Sequence, residues 1–262
     1  MYSGISGMKN FQTKLDVIGN NIANVNTFGF KKSRVTFKDM ISQTVAGATA
    51  PNEDGTRGGI NGKQVGLGSQ IAAIDTVQTG GNMQATGRML DLAIAGDGYF
   101  VLQAEDGSER YTRAGNFYLD SEGYLVNSDG YFVVVDGDNL QIELEEVVDF
   151  SVGKDGTIYV TNNDNEVEGV GMIQLAKFPN ADGLQKEGSN LFINTANSGE
   201  PIYNVDGDAI FGDVESGMLE MSNVDLSEEF TEMIVAQRGF QANTRIITTS
   251  DEILQELVNL KR

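Results

Sequence analysis

The chain has 262 residues, 38 acidic and 18 basic side chains, a formal net charge of −20, and no Cys, His or Trp. Without Cys there is no disulfide framework, thiolate metal site or Cys nucleophile. Without His the commonest general base and zinc ligand are gone, with every Ser-His and Cys-His arrangement. The negative charge argues against nucleic acid as a partner, because phosphate binding needs a basic face, and the longest apolar run, Tyr131 to Val135, falls far short of the ~18 residues of a membrane span. The start, Met1-Tyr2-Ser3-Gly4-Ile5, lacks the basic and apolar regions of a secretory signal. The sequence therefore predicts a protein of one or two domains that stays inside or leaves by another route.

Residues 1–40 carry six bases and two acids, residues 225–262 four bases and seven acids, and the stretch between them eight bases and 29 acids. That middle also holds 27 of the 32 glycines. Ends and middle are built by different rules.

The first element is helical. Met1, Met8, Leu15 and Ile22 are spaced by seven, and Gly4, Phe11, Ile18 and Val25 fill the second position of the same heptads. One apolar seam results. It is expected to stop near Asn26-Thr27-Phe28-Gly29, with Gly29 as the C-terminal cap. Lys31-Lys32-Ser33-Arg34 follows, either a contact for an acidic neighbour or a solvated face.

Residues 41–88 are rich in Ala, Gly, Thr and Gln and have little to bury, so they are expected to be extended or partly disordered. From 89 to 220, short apolar stretches alternate with Asp-Gly turns at 97, 106, 129, 136, 155, 182 and 206. This rhythm predicts an all-β domain. Asp-Gly-Tyr-Phe occurs twice, at 97–100 and 129–132, as reused hairpin chemistry.

The last element is a helix over about 226–260. Leu226, Met233, Phe240, Ile247 and Leu254 are spaced by seven; Phe230, Ile234, Ile246, Ile253, Leu257, Val258 and Leu260 broaden the stripe. Asp225 and Glu228 form a capping-box pattern with Asp in the Ser/Thr place. At 1.5 Å per residue the helix is ~50 Å long. Gly239 inside it weakens it by roughly 0.5–1 kcal/mol, which a close helix approach would explain. The stripes fit amphipathic helices packed on the chain's own core. They also fit two helices pairing with each other, the surplus on the longer one covered by another copy.

Catalytic and cofactor patterns are weak. Gly66-Leu67-Gly68 lacks the third glycine of a dinucleotide fingerprint, and Gly62-Lys63 lacks a phosphate loop. Asn162, Asp164, Glu166 and Glu168, or Asp136, Asp138 and Asn139, could ligate Ca²⁺, but neither group has a calcium-loop spacing and both read as solvated turns. No pair of carboxylates stands out as a glycosidase pair. The expectation is a non-enzyme without catalytic, cofactor or metal residues.

Leu15 through Lys31, with Asn20, Asn21, Ala23, Asn24, Thr27, Gly29, Phe30 and Lys31, resembles the N-terminal signature of bacterial flagellar rod and hook proteins. Ala85 to Phe100, Tyr111 to Phe117 and Glu220 to Asn243 resemble later motifs of the same family, in the same order. The resemblance implies a structural subunit of the flagellar axis. Its terminal helices (1–30 and 222–262) would form a coiled-coil-like inner domain, its connecting segment (31–84) would contact neighbours, and its β domain (85–221) would lie outside. It further implies helical self-assembly, neighbouring axial proteins (rod, hook cap and hook–filament junction), export through the flagellar type III apparatus and a place in the basal body or hook. The expected seam residues are Met8, Phe11, Leu15, Ile18, Ile22, Val25, Leu226, Phe230, Met233, Phe240, Ile247, Leu254 and Leu257. Within the family the resemblance points first to the short hook subunit of Gram-positive, Bacillus-like bacteria, and next to the distal rod subunit. An oligomeric β-domain adhesin is the remote alternative. Family members usually carry a few residues ahead of the tyrosine, an expectation that the native chain begins slightly upstream of Met1.

Overall fold

The computed structural model describes residues 2–50, 58–139, 141, 147–162, 166–204 and 211–260. Met1, Asp164 and the Asp206-Gly207 turn lie outside the described residues. The fold is mostly β with one helix near each end of the chain, α1 (Tyr2–Ala23) and α2 (Leu226–Leu260). It divides into two compact units: residues 1–22, 33–75 and 225–262 form one, and residues 23–32 and 76–224 the other.

In the helical unit α2 spans the expected 226–260, and the carboxylate of Asp225 accepts from the N–H groups of Ser227 (2.8 Å) and Glu228 (3.4 Å), capping two otherwise orphaned donors. Gly4 faces Asn243 and Ile246, Gly7 faces Asn243, and Phe11 faces Gly239, so α1 and α2 run antiparallel. A two-stranded ribbon completes the unit: Ser33–Asp39 pairs with Ser69–Thr76, Ser42–Ala46 pairs antiparallel with Lys63–Gly66, and a single bridge joins Thr49 to Ile60. Within the 41–88 segment, expected to be extended or partly disordered, Ser42–Ala46, Lys63–Gly66, Ser69–Thr76 and Met83–Ala85 are extended as paired strands. Backbone ladder bonds suffice for that, since both strands of the 42–46/63–66 hairpin are exposed throughout.

α1 stops at Ala23, earlier than expected, and Val25 lies beyond it. Gly29 is not its cap. Its φ of 68° belongs to the left-handed region, and a Cβ there would lie 2.5 Å from the Ala114 nitrogen. Gly29 serves a close passage of the chain past residues 113–114 of the β unit, where no larger residue fits.

The β unit is organised around the strand Tyr99–Gln103. It pairs antiparallel with Glu109–Thr112, Phe132–Val135 and Leu175–Lys177. Successive side chains on a strand point to opposite faces, and both faces here are buried. Phe100 and Leu102 join Leu92, Phe117, Val133 and Ile173 in one core, with Phe100 and Phe117 edge to face at 5.1 Å. Tyr99 and Val101 join Tyr111, Val134, Phe178 and Phe192 in the other. Two short antiparallel pairs bring distant segments together: Asp213–Ser216 with Leu92–Ala95, and Met218–Glu220 with Met83–Ala85. A three-stranded meander over Val147–Val152, Thr157–Asn162 and Val167–Met172 sends Ile158 and Val160 into the first core.

Candidate assembly surfaces

Small and polar groups, beside apolar ones, hold the helix pair. The buried residues of α1 are Gly4, Gly7, Asn10, Ile18 and Asn21. A Cβ on Gly239 would lie 2.6 Å from the ring of Phe11, which explains this glycine in mid-helix: its missing side chain admits a neighbour's aromatic ring. A Cβ on Gly7 would lie 3.0 Å from the amide of Asn243. Asn10 donates to Ser69 Oγ at 2.8 Å, and Lys14 pairs with Glu232. Asn21 acts as a clasp. Its amide donates to Ser33 O (2.9 Å) and to Glu229 (3.2 Å), and its oxygen accepts from Ser33 N (3.0 Å). The heptad pattern marks Gly4, Phe11 and Ile18, the helix interior Gly239 and the motif Asn21; Gly7, Asn10 and Asn243 carry no periodic apolar signal that singles them out as contacts.

The less exposed positions of α2 include Glu229, Met233, Ala236, Phe240, Asn243, Ile247 and Ser250, in alternating steps of four and three. Met233, Phe240 and Ile247 of the expected seam therefore face inward with Met8, Phe11, Leu15 and Ile22 half-buried and Ile18 fully buried. Leu226, Phe230, Leu254 and Leu257 do not: they are 40–57% exposed. Ile234, Ile246, Ile253 and Val258 are exposed as well. By the pairing register above, residues 251–260 run past the start of α1, and all ten are exposed. The ribbon adds exposed Ile41, Val45, Val65 and Leu67. Apolar exposure on this scale marks an interaction surface.

The rest of the motif has a different role. Asn20 and Ala23 are exposed on α1, and Asn24 accepts from the Thr27 hydroxyl at 3.1 Å. Phe30 is buried under the Lys186 ammonium, 4.8 Å from its ring centre. Lys31 faces neither solvent nor a neighbour, contrary to both readings of the basic run. It is 1% exposed, with its ammonium 2.6 Å from Glu220 and donating to Thr79 O at 2.9 Å. Glu220 also takes the guanidinium of Arg113 at 3.3 Å and the N–H of Gly81 at 2.9 Å, while its backbone oxygen accepts from Gly29 N at 2.8 Å. Arg113 bonds Gly96 O at 2.8 Å and lies 5.2 Å from the Tyr99 ring centre. Two cations thus share one buried carboxylate. Burial pushes the Lys31 pKa down, the Glu220 charge pulls it back, and the Arg113 charge opposes it. Glu220 and Arg113 lie in stretches that resemble the family, but nothing local in the sequence announces a charge node whose members are 189 residues apart.

Among the described residues no group of three or more Asp or Glu is placed to hold a metal ion, and no helix is long and apolar enough to cross a membrane. Asp136 accepts from Met172 N at 3.0 Å, and Glu166 and Glu168 are exposed.

Three family models match the chain: "Flagella basal body rod protein" over residues 1–31, "Flagellar hook protein FlgE/F/G D1 domain" over 93–160, and "Flagellar basal body rod FlgEFG protein C-terminal" over 215–260. The flagellar basal-body rod protein FlgG of Bacillus subtilis is 60% identical over all of this chain and 98% of its own length. FlgG of Borreliella burgdorferi is 40% identical with the same coverage. The hook protein FlgE of Borreliella burgdorferi is 31% identical, covering all of this chain and 99% of its own, but across 440 aligned positions. A solved structure of Helicobacter pylori hook protein FlgE2 matches with a TM-score of 0.27 and 17% identity, covering 62% of this chain and 47% of that one.

Proposed function

The chain belongs to the family of flagellar rod and hook proteins, structural parts of the flagellum, and from that premise we propose that it is the distal rod subunit, not the hook subunit that its motifs first suggested. The observation that carries this reading is the end-to-end 60% identity with a rod protein of matching length. The hook relative aligns only by spreading these 262 residues over 440 positions, so it holds a large interior portion that this chain lacks.

In this reading the subunit works by polymerising. The helix pair forms the coiled-coil-like inner layer, and the exposed stripe of α2 from Phe230 to Leu257 is covered by neighbouring copies. Contacts of this kind join different patches and propagate instead of closing on themselves. The ends of the polymer meet other axial proteins, and the chain reaches its place through the flagellar export apparatus. Because each copy carries a charge of −20, assembly strengthens as salt screens the repulsion.

Expression in two non-motile Bacillus strains, one lacking its rod protein and one lacking its hook protein, tests the assignment. Restored swimming only in the rod-deficient strain is the expected result. Rescue of the hook-deficient strain instead would overturn it.

A further inference from the structure

Four turns of the β unit converge on an open cavity of about 210 Å³. They are residues 26–28 after α1, 112–116 after the strand Glu109–Thr112, the 127–128 turn, and the 189–190 turn of the hairpin formed by Gln185–Gly188 and Leu191–Ile193. The walls are built and fastened. Asn190 donates to Phe28 O at 3.1 Å, Thr112 donates to Asn190 O at 3.0 Å, and Asn127 accepts from the N–H groups of Asp129 and Tyr131 at 2.9 Å each. Ser189 and Asn190 both hold left-handed backbone, with φ of 47° and 60°. Positive φ at both positions is what a two-residue hairpin turn requires, and it fixes how the turn enters the cavity wall.

The lining contains no charged residue, in a chain where one residue in five is charged. It presents four carboxamides, hydroxyls and one aromatic ring, that of Phe28. The side chains of Asn26, Asn116, Ser128 and Ser189 make no hydrogen bond among the described residues, so their polar groups face the cavity or solvent. An ion entering would be desolvated without a counter-charge. An apolar ligand would leave amides and hydroxyls unpaired. Only a neutral ligand rich in donors and acceptors can replace the water such a cavity attracts without losing its hydrogen bonds.

We propose that this cavity binds one unit of a neutral, N-acetylated glycan, its acetamido group paired with the asparagine amides. The inference does not rest on the rod assignment, since every lining residue lies in the β unit.

The full-length protein titrated with N,N′-diacetylchitobiose, and in parallel with cellobiose, tests this by NMR. Saturable shifts confined to the amides of residues 26–28, 112–116, 127–128 and 189–190 are expected for the acetylated sugar, with a Kd of about 1 mM or tighter. Cellobiose should bind at least ~10-fold more weakly. Asn116→Leu should weaken binding by a similar factor at unchanged thermal midpoint; Asn26→Leu, at an exposed turn, is the second variant should the first not fold. Equal binding of both sugars, or no saturable shift at about 20 mM, would overturn the proposal. So would protection of the same amides that grows with protein concentration and ignores sugar, which would mark a contact between copies.

Discussion

The two units differ in how much apolar matter they bury. The β unit fills both faces of its central sheet with Phe100, Leu102, Tyr111, Phe117 and Phe192, each at most 1% exposed. The helices of the other unit bury only Ile18 and Ala236 among apolar side chains, beside glycines, asparagines and Glu229, and leave Phe230, Leu254 and Leu257 about half exposed. Stability comes chiefly from apolar area removed from water. The first unit therefore carries its own driving force, whereas the second leaves much of its apolar area in water. Fold strength and exposed apolar area sit in different parts of one chain.

The contrast can be attacked first at the charge node. Glu220→Ala leaves Lys31 and Arg113 buried without a counter-charge and should cost about 3–5 kcal/mol. Lys31→Met leaves the Arg113–Glu220 pair balanced and should cost less than half as much. Denaturant melts of the two variants decide the ranking, and equal losses would contradict the shared-carboxylate arrangement.

Alkali should act on the β unit next. Burial lowers the pKa values of Lys31 and Lys186 from their ordinary 10.5. Between the folded value and 10.5 the unfolded chain binds more protons, so stability rises with pH there. Burial raises Tyr99 to about 12, and burial with the Glu109 carboxylate raises Tyr203 to about 12 and Tyr111 higher still. Above about 10 the folded state binds more protons and stability falls. Thermal midpoints across pH 8 to 12 should therefore climb, peak near 10 and drop, with a shallower drop in Tyr203→Phe.

Gly239→Val drives two methyl groups into the Phe11 ring and should cost about 1–3 kcal/mol of helical-unit stability. Far-UV circular dichroism would register the loss of helix, while near-UV signals from the β unit's aromatic residues stay unchanged. The smallest effect on folding belongs to Leu254→Asp. Its side chain is 46% exposed, so the isolated protein should change by no more than about 0.5 kcal/mol. Polymerisation, followed by sedimentation and electron microscopy, should nonetheless fail. Tubes from this variant would show that the stripe is not an assembly surface.

Periodicity revealed what depends on local repetition: the span of α2, the cap at Asp225, the β middle with its Asp-Gly turns, and the inward-facing Met233, Phe240 and Ile247. Gly239 was legible because a glycine inside a strong helix demands a reason. Other features left no such trace. The close passage at Gly29 depends on residues 113–114, which only folding brings near. The burial of Lys31 depends on a carboxylate that arrives late in the chain, so a run of bases looked like surface. The extended character of residues 41–88 was expected, but the pairing of 42–46 with 63–66 rests on backbone bonds, which composition does not report. The charge-free cavity draws its walls from four separated turns.

The Lys31–Glu220 contact has a mechanical meaning. Tension applied between those two points does not have to travel through the 189 residues that separate them. It crosses a 2.6 Å ion pair, the Gly29–Glu220 backbone bond beside it and the short ladder of Met218–Glu220 on Met83–Ala85. The stretch between the two points is closed into a loop by that bridge. Pulling on residues 31 and 220 loads the bridge before the strands between them, which suits a structural part of the flagellum.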